Sequence, residues 1–450
     1  MSTADDDPLL RRVRAGLAWP SWNSWAEDTP LPQRPVVAGQ PVNSAERTAG
    51  VQRHRAAART VDRGGPWLEF FEERTARRLA AEGDADLGPL ADKVFAVKGL
   101  VAVNGHAVTA GSPVRADVPA ERRTAPIVEL LESTGAVALG SVTLHEFAFG
   151  VTGANDHAGT APNPAAPDRV PGGSSSGSAS AVADGSADFA IGTDTGGSVR
   201  IPSAFCGIAG FKPAHGTYPA AGVFPLSTTL DHVGLHARTL GEIVRVHEAL
   251  GHPVDDEPQV VRIGVARADV EAADDEVRHA IEQALDVLSS AGAELVDVGW
   301  PDAEATFVAS TGIMFSEAAA IHAEGLAAHA DRYGADIRAR LEMGAALSGT
   351  DVAAAHRLRG ELIGQVRRTL GAVDVIASPT VPIVAPLLRD AADPALPPRI
   401  VANTRLGNVV GLPAVSLPAP TSGLPVGLQL LGARNGHTLA CAAWAEKRLA

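Results

Sequence analysis

Residues 171–207 read PGGSSSGSASAVADGSADFAIGTDTGGSVRIPSAFCG. A Gly/Ser tract runs from Pro171 into an Ala-rich helix that reaches Ala183, and Asp188 to Ile191 then has the apolar character of a buried strand. Gly192 to Gly207 follows, turning on Gly196 and Gly197 to present Ser198. The first tract invites three readings. A flexible linker is disfavoured, because apolar helix and strand patterns follow at once. A phosphate cradle would need the Gly-Lys-Ser/Thr ending of a P-loop, which is missing. Gly173 to Gly177 formally matches the G-x-S-x-G nucleophile elbow around Ser175, but an elbow follows a buried strand, and here Asp168, Arg169 and Pro171 precede it. The second turn has the required order of strand, glycine turn and serine. Two adjacent glycines let successive N–H groups point into one cavity, which is how an oxyanion hole is made.

The same alternation extends on both sides. Val94 to Val103, VFAVKGLVAV, is apolar at nearly every position, as expected of a strand buried on both faces. Pro126 to Thr134 predicts a helix with Pro at its start and Gly135 past its end, leading into the apolar Ala136 to Leu139. Val261 to Val265 predicts a strand, and Glu276 to Leu288 a helix whose inner face is Val277, Ala280, Ile281, Ala284, Leu285 and Leu288. Gly292 closes that helix before the strand-like Leu295 to Val298. Asp374 to Ala377, Ala414 to Leu417 and Gly427 to Leu431 predict further strands, and Thr438 to Leu449 a closing helix. Trp67 to Leu79 carries a partial helical stripe of Leu68, Phe71 and Leu79 that ends in the polar Glu82 to Asp86. These elements predict an α/β fold, a three-layer αβα sandwich around a large mixed β-sheet. Residues 1–65 mix Pro, Trp and Arg without periodicity and are expected to form a peripheral segment with one short helix, leaving 66–450 as the catalytic domain. Within it, 303–368 is helical by composition and is expected to cap the site.

Composition narrows the function. A net charge of −14 disfavours nucleic acid or an anionic membrane surface as partner, since both repel an acidic protein. No run of apolar residues is long enough to span a membrane or serve as a signal peptide, so a cytoplasmic protein is expected. The two cysteines, Cys206 and Cys441, are too few for a disulfide framework or a thiolate metal site. The 14 histidines show no H-E-x-x-H spacing, so neither a metal nor another cofactor is expected, and His145 and His232 read as packing or supporting groups. Of 38 basic residues only four are lysines, Lys93, Lys98, Lys212 and Lys447. One of these four, Lys98, lies inside the apolar run. An arbitrary lysine there would be ion-paired or snorkelling. In a chain that uses Arg almost everywhere for a surface cation, it points instead to a group able to give up its proton and act as a general base. Arg200, in the apolar stretch after Ser198, reads as an ion-pair former with Asp194.

Together, GGSSSGSASAVA from Gly172 and GTDTGGSVRIPSAFCGIAGFKP from Gly192 resemble the long signature of the amidase signature family. The likeness runs from about Trp67 to the C-terminus and includes TAGS at Thr109 to Ser112, LHEFAFG at Leu144 to Gly150, LDHVG at Leu230 to Gly234 and GLPVGLQLLG at Gly423 to Gly432. The resemblance implies a catalytic triad of Lys98, Ser174 after a cis peptide bond, and Ser198 as nucleophile, with the serine spacing of 198 − 174 = 24 agreeing. It further implies an oxyanion hole of N–H groups around Thr195, Gly196, Gly197 and Ser198, and Phe149 as a lining of the substrate pocket. The implied activity is hydrolysis of a small-molecule carboxamide to a carboxylate and ammonia or amine through an acyl-enzyme; a homodimer is compatible with it. Alternatives are an A-type chain of glutamyl-tRNA amidotransferase, which usually carries Gln where this chain has Ile201, and a non-catalytic binding member. Two departures from the family pattern are Gly99 after the lysine, where Asp is usual, and the first 60 or so residues.

Overall fold

In the computed structural model, which describes residues 44–60, 65–82, 88–301 and 303–449, the apolar run from Val94 divides in two. Val94–Lys98 forms β2, buried throughout and flanked on both sides by parallel partners. Gly99 to Val103 leaves the sheet, because the N–H groups of Leu100 and Val101 both return to the Lys98 carbonyl at 2.7 and 2.9 Å. The expected ten-residue strand therefore ends at Lys98, which puts the lysine at the strand's C-terminal edge. Trp67 to Leu79 also divides: Trp67–Phe70 is an edge strand, β1, and the helix starts only at Glu72 and runs to Glu82. Aromatic residues at both ends of β1 suit a pleated edge, whereas Glu72 and Glu73 suit a helix N-terminus.

Nine further strands complete the sheet: β3 (Val137–Val142), β4 (Phe189–Asp194), β5 (Ala209–Lys212), β6 (His232–Ala237), β7 (Arg262–Val265), β8 (Glu294–Asp297), β9 (Val375–Pro379), β10 (Ala414–Pro418) and β11 (Gly427–Gly432). The 11 strands run in the order β1-β3-β2-β4-β6-β5-β10-β11-β9-β7-β8. β2 is parallel to β3 and β4, and β7 to β8 and β9, while the remaining neighbours are antiparallel. The sheet is thus mixed, with helices on both faces. The helices Ser176–Ala183 and Arg200–Cys206 pack on each other and on the sheet; Leu240–Ala249, Asp275–Ser290 and Asn435–Leu449 form a second such group. In the helix Asp275–Ser290 the buried residues are the six read from its periodicity. Phe95 and Phe189 stack across β2 and β4 with ring centroids 5.2 Å apart, a pairing that adds on the order of 1 kcal/mol to simple burial.

The Gly/Ser tract is not a linker. Its serines, Ser174 to Ser180, are fully buried, and the helix Ser176–Ala183 lies so close to β3 that a Cβ on Gly177 would come within 2.5 Å of the Thr143 carbonyl oxygen. Small residues are what permit that approach. The helix Ser44–Thr60, within the segment expected to be peripheral, packs Val51 against Val94, Val137 and Leu139; residues 1–43 and 61–64 lie outside the described ones. No helix among the described residues is long and apolar enough to cross a membrane.

The stretch expected to be helical is three helices, Ala303–His329, Ala335–Ala345 and Gly349–Leu370, the last opened by a capping box between Ser348 and Asp351. The first two cross where Gly344 meets the Phe315 carbonyl so closely that a Cβ would collide with backbone. Gly344→Ala is therefore expected to destabilise the protein by about 1–3 kcal/mol. Gly360→Ala, at an exposed helical site with nothing within 4 Å, is expected to be neutral or stabilising. Differential scanning calorimetry of the two variants checks the contrast.

Candidate active site

Lys98, wholly buried at the end of β2, directs Nζ to the Ser174 hydroxyl at 2.8 Å and the Thr193 hydroxyl at 2.7 Å. Burial pushes its pKa down to about 7, against the opposing pull of the Asp194 and Asp231 carboxylates. Near neutral pH the amine is thus poised between its two forms. Ser174 follows a cis peptide bond from Gly173, and its carbonyl accepts the His145 N–H at 3.1 Å. Gly99 has no room for a side chain: a Cβ there would sit 2.7 Å from Leu68 of β1 and 3.0 Å from the Val142 carbonyl. The departure from the family's Asp is therefore matched by the packing of this edge, and Lys98 is held by hydroxyls.

The turn after β4 is organised by Asp194, whose buried carboxylate accepts the N–H groups of Gly197 at 2.8 Å and Val199 at 3.2 Å. Arg200 grips the same carboxylate through Nε at 2.9 Å and Nη2 at 2.8 Å, the ion pair expected from the sequence. Burial would raise the Asp194 pKa, but the charge and hydrogen bonds of Arg200, aided by Lys212 and Asn408, hold it well below the usual carboxylate range. The remaining Arg200 donors reach the Thr404 carbonyl, Gln429 Oε1 and Asn408 Oδ1 at 2.7–2.9 Å.

This arrangement corrects one expectation. Gly197 does not offer its N–H to the cavity, because that group is taken by Asp194; its φ of 130° suits glycine alone, and a Cβ would strike Thr404. The N–H groups of Thr195, Gly196 and Ser198 meet no acceptor among the described residues. Thr195 is fixed by its hydroxyl, which donates to Asp231 at 2.6 Å.

Ser198, Thr195, Gly196 and Phe149 line one cavity of about 480 Å³ including its mouth. Leu226, Met314, Phe315, Arg340 and Arg405 close it, so two of the three helices between 303 and 370 contribute walls. Phe149 is delivered there by Phe147 and Ala148, both with left-handed backbone at φ 51° and 59°, and it meets Phe315 edge-on at 5.1 Å. Ser174 and Ser198 form no hydrogen bond with each other; they are joined by the Ser175 N–H, which donates to the Ser198 carbonyl at 3.3 Å. The Ser175 hydroxyl is buried and exchanges bonds with the Thr193 backbone, which leaves nothing for the elbow reading. His145 and His232 are buried, His145 3.7 Å from Asp336 and His232 bonded to the Leu230 carbonyl at 2.7 Å. Thr193, Asp231, Asn408, Gln429, Arg340 and Arg405 are not marked as site residues by the sequence: the partners of Thr193, Asn408, Gln429 and Arg405 come from distant chain, and Asp231 and Arg340, although bonded to near neighbours, join the site only through the fold. A polar residue within an otherwise apolar strand was the only available signal, and only Thr193 and Gln429 carry it.

A sequence model of the amidase family matches residues 66–439. The chain is 37% identical to an amidase of Pseudomonas putida over 378 residues, covering 77% of this chain and 80% of that protein. It is 34% identical to an indoleacetamide hydrolase of Pseudomonas savastanoi over 393 residues, covering 82% and 86%. It is also 34% identical to the A component of the glutamyl-tRNA(Gln) amidotransferase of Halobacterium salinarum over 402 residues, covering 79% and 94%. Among solved structures, a crystal structure of an amidase matches with a TM-score of 0.82 at 31% identity, over 90% of this chain and 96% of that one. The sheet order, the two glycine turns and these likenesses agree, and the chain belongs to the amidase family.

Proposed function

We propose that the protein hydrolyses a carboxamide C–N bond through an acyl-enzyme on Ser198, with Lys98 and Ser174 as the proton relay. The observation that carries this reading is the buried Lys98 amine, poised at about 7 and bonded to the Ser174 hydroxyl behind the wall that presents Ser198. Ser198 Oγ attacks the amide carbon as its proton passes to Ser174 Oγ and the Ser174 proton passes to neutral Lys98 Nζ. The two serine hydroxyls, not bonded to each other in this structure, are brought into line by the bound amide, since catalytic hydrogen bonds commonly tighten only in the complex. The N–H groups of Thr195, Gly196 and Ser198 receive the oxyanion. The proton then returns through Ser174 to the leaving nitrogen, the C–N bond breaks and ammonia or an amine departs. Water repeats the sequence on the acyl ester, releasing a carboxylate and restoring Ser198.

The helices between 303 and 370 act as a cap, through Met314, Phe315 and Arg340. Two buried free thiols support work in a reducing cytoplasm. The likeness to the A component of an amidotransferase supports a second reading, in which the same chemistry frees ammonia for a partner chain; ammonia release that requires added partner would favour it.

Ser198→Ala, Ser174→Ala and Lys98→Ala are each expected to lower carboxamide turnover by at least about 1,000-fold while circular dichroism stays unchanged. A fluorophosphonate should label Ser198 and not Ser175; wild-type turnover in Ser198→Ala would overturn the assignment. Because the working form of Lys98 is the neutral one, kcat/KM should be level above a pH of about 7 and fall below it, with a slope of about tenfold per pH unit. Arg200→Leu leaves Asp194 buried and unpaired, and thermal unfolding should show a loss of about 3–5 kcal/mol.

A further inference from the structure

A second cation faces the cavity without the partner its burial calls for. Arg405, at the start of the short helix Arg405–Val409, is only 9% exposed, yet it forms no ion pair among the described residues. Its Nη1 donates to the hydroxyls of Ser310 at 3.2 Å and Thr311 at 2.9 Å, and its guanidinium lies over the Phe307 ring at 4.6 Å. Nε is buried with no acceptor among the described residues. The other guanidinium in this wall, Arg340, is answered by Asp336 at 3.2 Å and by the Phe149 carbonyl, and its charge adds to the burial that pushes Arg405 down to about 10. Arg200 has Asp194. A buried guanidinium facing only hydroxyls carries an uncompensated desolvation cost unless an anion completes it, and its planar fork suits a carboxylate.

Arg405 is also tied to the reacting end of the cavity. The hydroxyl of the preceding Thr404 donates to the Gly196 carbonyl at 2.6 Å, and Arg405 Cγ lies 3.8 Å from where a Gly196 Cβ would be. Arg405, Gly196 and Ser198 line the same cavity, with Phe149, Met314 and Phe315 as apolar walls, so an anion on Arg405 and a carbonyl at Ser198 can belong to one small molecule. We propose that Arg405 is a specificity residue that binds a carboxylate on the acyl part of the substrate, so that the preferred substrate is the monoamide of a short dicarboxylic acid. This rests on the acyl-enzyme reading given above.

The test compares kcat/KM of the full chain for succinamate and for 4-methylpentanamide, in which an isopropyl group replaces the carboxylate. Wild type should prefer succinamate by about 100-fold, and Arg405→Met should bring the ratio close to one. Equal use of both amides by wild type, or a preference that survives Arg405→Met, overturns the proposal. Should Arg405→Met not fold, Arg405→Lys keeps the charge without the fork and should still lose most of the preference. Fluorophosphonate labelling of Ser198 separates the two readings: a labelled enzyme indifferent to the carboxylate loses only the anchor, whereas an unlabelled Ser198 sinks the acyl-enzyme. Where neither amide turns over, calorimetric titration of succinamate into Ser198→Ala protein decides. Heat that vanishes in Ser198→Ala/Arg405→Met upholds the anchor, and the absence of heat in Ser198→Ala overturns it.

Discussion

The ion pair between Asp194 and Arg200 is the constraint on which the rest of the site depends. One carboxylate, fully buried at the end of β4, sets the backbone of the glycine turn through Gly197 and Val199 and fixes the arginine that follows. That arginine then fastens the segment around Thr404, Asn408 and Gln429. A buried pair of this kind is weak evidence of net stability, since desolvation offsets most of the attraction. Its value here is geometric. It takes up the N–H groups of Gly197 and Val199 while those of Gly196 and Ser198 meet no acceptor among the described residues, and through the Thr404 carbonyl it holds the segment that carries Arg405.

The electrostatics around Lys98 suit the role of base proposed for it, with no imidazole taking part. His236, packed against Gly192 and Ser203, is pushed down to about 3 by burial and by the Lys98 charge, and His232 is held well below its ordinary value by burial and by Lys212. Both rings are neutral at physiological pH. They therefore add no positive charge that would drive the Lys98 pKa lower still, and burial opposed by Asp194 and Asp231 is left to set it.

Much of the fold was legible because buried strands and amphipathic helices leave periodic marks. The helix Asp275–Ser290 shows its inner face residue by residue, and the Gly/Ser tract announces a turn followed by a close-packed helix. The marks fail where geometry depends on partners far along the chain. Nothing in VFAVKGLVAV says that the strand stops at Lys98, since the residues after it are equally apolar and are turned aside by hydrogen bonds to the Lys98 carbonyl. Gly197 was expected to face the cavity because consecutive glycines permit it; only the position of the Asp194 carboxylate shows which N–H is consumed. Arg405 and Arg340 were silent for the same reason, as an arginine in a helical segment is ordinary until its surroundings are known.

The reach of Arg200 also has a bearing on how the chain is made. Its acceptor Gln429 lies 229 residues further along, and Thr404 and Asn408 lie 204 and 208 residues further. During synthesis Arg200 and Asp194 leave the ribosome long before β10 and β11 exist to cover them, so the centre of the sheet must wait with a charged pair in a half-built interior. Contacts of such separation are slow to form and leave apolar edges open meanwhile. The nascent enzyme thus passes through a long interval in which β5, the future neighbour of β10, is an uncovered strand edge. That is the stage at which a chaperone has most to protect, and the glycine turn that presents Ser198 is completed only when the last strands close the sheet.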